Sequence, residues 1–141
     1  MQKTYFFTDK EGIPLSTFIT SANTYDVTVA TNTIDNIVIK RPSPSSKYKH
    51  KQNLCLDKAY HSIEVEQEIV KRGYIPHIRH RREEKSFHRK HPTIRWVVER
   101  TNSWHNRFRK LFTRYEKKDN NYFGLVELAN SLIVYRTLIL G

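Results

Sequence analysis

Two carboxylates stand out by their settings. Asp57 closes a short apolar run, Asn53-Leu54-Cys55-Leu56-Asp57, which reads as a buried strand ending in an acid. Glu99 lies in a stretch where Ile94, Val97, Thr101, Trp104, Phe108, Leu111 and Tyr115 recur at steps of three and four, which predicts one long amphipathic helix. On that helix Glu99 falls opposite the stripe, in line with Arg95, Ser103 and Asn106. Hydrolysis or transfer of a phosphodiester at neutral pH uses two divalent cations ~3.5–4 Å apart, which clamp the attacking and leaving oxygens. Mg²⁺ takes a few carboxylate oxygens, normally from separate elements. A strand-end Asp facing a helical Glu can supply them. Each residue also has a plainer use. Glu99 can pair with Arg95 four residues earlier in a solvent bridge of ~0.3–0.5 kcal/mol, and Asp57 can cap the turn after its strand.

The elements that would carry these residues follow from local chemistry. Lys3 to Thr20 predicts a β-hairpin, with Thr8-Asp9-Lys10-Glu11-Gly12 as its turn. Ser21 to Asp26 is a polar break where Thr24 or Asp26 can cap a helix. Val27, Ala30, Ile34 and Ile37 then recur at helical spacing, against the low helix propensity of the β-branched residues around them. Lys40 to Gln52 is a Pro, Ser and Lys-rich surface loop. After the Asp57 strand, Ser62 caps a helix to Arg72 and Gly73 stops it. Tyr74 to Ile78 is a second short strand, placed at an edge by Pro76. A basic loop, Arg79 to Pro92, leads to the long helix. A last helix, 121–139, is apolar almost all round and is expected to be buried. Strands alternating with helices make this an α/β chain of one domain.

Charge supplies the second clue. The 141 residues hold 25 Lys and Arg against 14 Asp and Glu, a net +11. Residues 71–118 alone hold 16 basic and 4 acidic residues, a net +12, so the other 93 residues are nearly neutral. Like charge gathered in one third of a chain opposes folding, and an anionic polymer accounts for it. Arg79, Arg81, Arg82, Lys85, Arg89 and Lys90 suit phosphate contacts, which give affinity and steep salt dependence without sequence information. Arg100 and Arg107 extend that basic surface along the helix. The single cysteine, Cys55, excludes an internal disulfide and a Cys-rich zinc cage, and inside an apolar strand it reads as a small buried hydrophobe. His77, His80, His88 and His91 are loosely spaced and lack Cys partners, so loop histidines near phosphates are preferred to a zinc site, which is the lesser alternative. Trp104 is on the core stripe. Trp96 is off it, where stacking on a base is conceivable. Leu132 to Leu140 is interrupted by Arg136 and is shorter than a bilayer span, and no signal-peptide core follows Met1, so a soluble cytoplasmic protein is expected.

The words around the two carboxylates are more specific than their spacing. Arg95-Trp96-Val97-Val98-Glu99-Arg100-Thr101-Asn102-Ser103-Trp104-His105-Asn106-Arg107-Phe108-Arg109-Lys110-Leu111, then Arg114-Tyr115-Glu116-Lys117-Lys118, resembles the C-terminal signature of DDE transposases of bacterial insertion sequences. Leu56-Asp57-Lys58-Ala59-Tyr60-His61-Ser62 looks like that family's second-aspartate motif. Thr8 to Leu15 and Ala22 to Asp26 look like its hairpin turn and the following helix entry. The resemblance runs in order along nearly the whole chain.

It implies an RNase H-like mixed sheet with flanking helices and a long C-terminal helical pair. Asp57 would be the second metal-binding carboxylate and Glu99 the third, holding two Mg²⁺ (or Mn²⁺) ions. Arg95 would be the helix-borne basic residue that contacts donor DNA. Two positions depart from the family signature: Pro92 replaces a Tyr, and Asn106 replaces a Lys, with Arg107 beside it. Both departures touch the DNA-positioning contacts. The family's first aspartate lies on the central first strand, upstream of the hairpin; neither Asp9 nor Asp26 matches its motif, so a truncated copy is expected, inactive alone.

The function so implied is Mg²⁺-dependent phosphodiester hydrolysis and strand transfer at insertion-sequence ends, in a nucleoid-associated homo-oligomer, with a full-length transposase or an upstream fragment as a further partner. One alternative is a non-catalytic basic DNA-binding module that competes with full-length transposase. Another is a stand-alone nuclease of the same fold, which needs Asp9 or Asp26 as a third ligand.

Overall fold

The computed structural model of the chain describes residues 2–39, 52–78 and 95–141. β1 (Gln2–Thr8) and β2 (Pro14–Ser21) form the expected antiparallel hairpin, with Tyr5 opposite Phe18. Asp9 makes its turn. One carboxylate oxygen accepts the N–H of Glu11 at 2.9 Å and of Ile13 at 2.8 Å, and Gly12 takes the left-handed φ of 87° that the reversal needs. α1 (Asp26–Asp35) follows, and neither expected residue caps it. The Thr24 hydroxyl instead donates to the Ser21 carbonyl at 3.0 Å. Burial of Val29, Ala30, Thr33 and Ile34 on one face overrides the weak propensity of this β-branched segment.

β3 (Gln52–Leu56) lies parallel to β4 (Tyr74–Ile78), Leu54 beside Pro76, joined by a 3₁₀ turn (Lys58–Tyr60) and α2 (Ile63–Lys71). The Ser62 hydroxyl oxygen accepts the Val65 N–H at 3.2 Å and Gly73 stops the helix at φ 82°, both as expected. In a two-stranded sheet each strand is an edge, the position in which a proline such as Pro76 is tolerated. β3 is covered on one face only. Leu54 points in and Cys55 points out, so the cysteine is exposed, contrary to expectation. Among the described residues the strands form these two separate pairs and not one continuous mixed sheet.

The hairpin is the middle layer. Phe7 packs toward the cluster of Ala30, Ile34, Leu54, Val65, Ile69, Tyr74 and Ile78 that joins α1, α2, β3 and β4, and the Ser16 hydroxyl donates to the Thr33 carbonyl on that side. Phe6 and Thr17, the neighbouring pair in the ladder, face the other way. There they meet α3 (Arg95–Asn106) and α5 (Asp119–Tyr135), with the short α4 (Arg109–Phe112) between them. The single long helix expected from residue 94 to 115 is thus broken. Arg107 and Phe108 close α3 with tight bonds to Trp104 and His105, and Phe108 is extended (φ −86°, ψ 101°), so stripe residue Leu111 reaches its place on a separate turn.

The C-terminal helix also differs from expectation. Only Val126, Ala129, Asn130 and Ile133 of α5 are buried; Leu128 and Tyr135, on the opposite side, are more than half exposed. One layer covers one face. The helix runs on through a π-type turn (Arg136–Leu140), and Asp119–Leu140 is, by length and composition alone, long and apolar enough to cross a bilayer.

Candidate functional site

α3 is the element that fixes the site. Its inward residues are Val97, Thr101 and His105, each four on from the last and all buried. The Thr101 hydroxyl, fully buried, donates to the Gly12 carbonyl at 2.5 Å. The approach needs glycine: a Cβ at Gly12 would sit 3.2 Å from both the Val97 carbonyl oxygen and the Thr101 hydroxyl. His105 stacks on Phe6 with ring centroids 4.2 Å apart. Its Nδ1 donates to the Thr101 carbonyl at 2.8 Å, and its Nε2 meets the side-chain amide of Asn130 at 2.7 Å. Asn130 in turn donates to the Thr17 hydroxyl at 2.7 Å and to Glu127 at 3.2 Å. Three elements are therefore pinned together by α3: the hairpin tip, β2 and α5.

With residues 97, 101 and 105 turned inward, Glu99 is turned outward and is exposed, together with Ser103 and Asn106, as the helical wheel predicts. Arg100, one residue on, is held in place. Its guanidinium lies 4.5 Å from the ring centroid of the half-exposed Trp96 and donates to the Glu11 carbonyl at 3.3 Å. Arg95 is the first residue of α3, and Arg107 follows its last. Trp104 is half-buried, in keeping with packing.

Asp57 follows β3 directly and is exposed, and its backbone carbonyl accepts the Tyr60 N–H at 2.9 Å. The Tyr60 phenol is pushed up to about 12, first by burial and then by the neighbouring Tyr5, Asp26 and Asp57. Two carboxylates, Asp26 and Asp57, thus act on one phenol. Asp9 is committed to the hairpin turn. Cys55 is exposed as a residue, while partial desolvation of its thiol pushes it up, away from the thiolate that attacks.

Asp57 and Glu99 are hard oxygen donors of the kind Mg²⁺ or Mn²⁺ accepts, on separate elements. Among the described residues no group of three or more His, Cys, Asp or Glu side chains could hold a metal ion, so the described donor set is short of a complete site. Arg79, Arg81, Arg82, Lys85, Arg89 and Lys90, with His80, His88 and His91, lie outside the described residues. His77 is on β4, its Nε2 2.9 Å from the side-chain oxygen of Asn53. Sequence reasoning missed the Gly12–Thr101–His105–Asn130 network. The one signal for it was the four-residue spacing that put Val97, Thr101 and His105 on one face.

The transposase DDE domain family matches residues 2–133. A protein of Burkholderia cepacia named "Putative transposase for insertion sequence element IS402" is 34% identical over 136 residues, which covers 96% of this chain and 64% of that protein. The chain therefore spans somewhat under two thirds of that relative. No solved structure matches it.

Proposed function

The chain belongs to the transposase DDE domain family, and from that premise we propose that it is catalytic-region sequence of an insertion-sequence transposase, acting on DNA with a divalent ion in the cytoplasm. The observation that carries the proposal is the division of labour on α3. One face is locked to the hairpin and α5, and the opposite face carries Glu99 into solvent directly after the most basic part of the chain. In this reading Asp57 and Glu99 are two of the carboxylates that bind Mg²⁺ or Mn²⁺. When bound there, the ion would polarise phosphate oxygens and lower the barrier to phosphodiester cleavage and strand transfer. Arg95, Arg100 and Arg107, with the basic residues from Arg79 to Lys90, neutralise the DNA backbone. The β1–β2 and β3–β4 pairs would be parts of an RNase H-like sheet, a layout supported by the helices on both faces of the hairpin. A non-catalytic DNA-binding module is the second reading, favoured by the absence of a three-carboxylate group among the described residues.

Metal and DNA titrations separate the two. Mn²⁺ should bind the chain, and Glu99→Gln or Asp57→Asn should weaken it by about tenfold or more while DNA affinity stays within about twofold. DNA binding itself should fall steeply and log-linearly with salt. Salt-dependent DNA binding with no Mn²⁺ uptake, or uptake that neither substitution changes, would instead establish the module.

A further inference from the structure

The outer face of α5 is open, apolar and patterned. Gly124, Leu128, Ser131 and Tyr135 follow one another at steps of four, three and four, which makes one continuous seam along the helix. All four are exposed, Leu128 at 58% and Tyr135 at 51%. The core formed by the described residues uses the other side, so nothing among them explains the seam. Gly124 is the informative position. Glycine inside a helix weakens it, Gly124 is not among the glycines with positive φ, and a Cβ there would meet nothing within 4 Å. No contact among the described residues asks for glycine. Beside it the surface dips into a hollow of about 580 Å³ lined by Lys110, Tyr115, Glu116, Asn121, Gly124 and Leu125.

We propose that a second copy of this chain packs on this face, α5 against α5, antiparallel about a two-fold axis between positions 129 and 130. Antiparallel helices set bulky seam positions in layers opposite the partner's alternate positions. Leu128 then faces the partner's Ser131, and Tyr135 faces the partner's Gly124, with its ring in the hollow beside that glycine. The two-fold repeats both contacts, so every bulky residue meets a small one. Parallel pairing would set Tyr135 against its own copy and Gly124 against its own, a clash and a void. Ser131 already donates its hydroxyl to the Glu127 carbonyl at 2.9 Å, so burying it strands no donor. Leu128, Leu132, Tyr135, Leu138 and Ile139 are between 37% and 68% exposed and together leave on the order of 500 Å² of largely apolar surface open. Two copies would bury on the order of 1,000 Å², the lower end of specific interfaces, so the association is weak.

Sedimentation velocity on the 141-residue chain tests this from about 1 to 200 µM, the range in which an interface of this size associates. A concentration-dependent dimer is expected. Leu128→Glu should weaken it about tenfold or more with unchanged circular dichroism, and adding Ser131→Lys should restore it, because the antiparallel register sets the two charges face to face across the dyad. Gly124→Ala should raise the melting temperature of the dilute monomer and yet weaken the dimer, opposite signs that a role inside one chain cannot give. A wild-type chain that stays monomeric throughout, a Leu128→Glu chain that associates like wild type, or a double variant that is not rescued would each overturn the proposal. So would a monomer that cosediments with phosphatidylcholine vesicles, since lipid would then be what covers the face.

Discussion

The Thr101 hydroxyl is the smallest group on which the placement of Glu99 depends. It is fully buried and donates to the carbonyl of Gly12, itself buried, 89 residues away. Thr101→Val keeps the shape and deletes the donor, which leaves that carbonyl without its partner. The expected cost is about 1–3 kcal/mol, a fall of several degrees in a calorimetric melt. Ser103→Ala, on the exposed side of the same helix, should change stability by less than about 0.5 kcal/mol. Comparable losses from the two would mean that the inward and outward faces of α3 have been misassigned. At this scale the sequence was only half informative. Spacing put Thr101 on the packed stripe and Glu99 off it. What Thr101 touches depends on a turn at the other end of the chain, which no local pattern encodes. His105 was passed over for the same reason. His77, His80, His88 and His91 cluster in the basic part of the sequence, whereas the histidine that ties α3 to α5 stands apart from them in sequence.

Between elements, α1 and α2 are fastened by one arginine. Arg72 donates from Nε and Nη2 to the two carboxylate oxygens of Asp35, at 2.8 and 2.9 Å, and from Nη1 to Glu68 at 2.6 Å. Hydrogen bonding to Arg72 holds the Asp35 carboxyl below its usual 3.8, ahead of the opposing effect of burial. A lowered carboxyl contributes its full stability above the unfolded value and loses it as the pH falls through the folded one. Acidification below about pH 4 should therefore loosen the α1–α2 contact. Arg72→Ala should flatten that limb of the stability–pH curve, by less than about 1 kcal/mol because Asp35 is half exposed. An unchanged acid limb would show that the pair contributes nothing measurable. The hairpin, the Ser62 cap, the Gly73 stop and the edge strand with Pro76 were legible because turn, cap and breaker chemistry is local. The break at 107–108 and the half-open α5 were not, since both are decided by what lies opposite, and helical periodicity runs straight through them.

Over the whole molecule, two properties meet on α3. The positive charge is gathered in residues 71–118, while the buried polar ties belong to α3, α5 and the hairpin. Composition alone exposed the first. The second required the hairpin to be seen as a middle layer, Phe7 and Ser16 turned to α1, Phe6 and Thr17 turned to α3 and α5. That layering has a dynamic consequence. A ribbon of two strands is marginal by itself, yet here it is packed on both faces, so its cross-strand hydrogen-bonded amides are expected to open only when the helical layers part. The slowest-exchanging protons of the chain should thus belong to β1 and β2, at the free energy of global unfolding, with the outer turns of α5 exchanging through cheaper local openings. Hydrogen–deuterium exchange read by mass spectrometry would show the order, and labelling of the hairpin ahead of α5 would contradict it. If the order holds, the hairpin is the last part of this molecule to let go, the frame against which α3 holds Glu99.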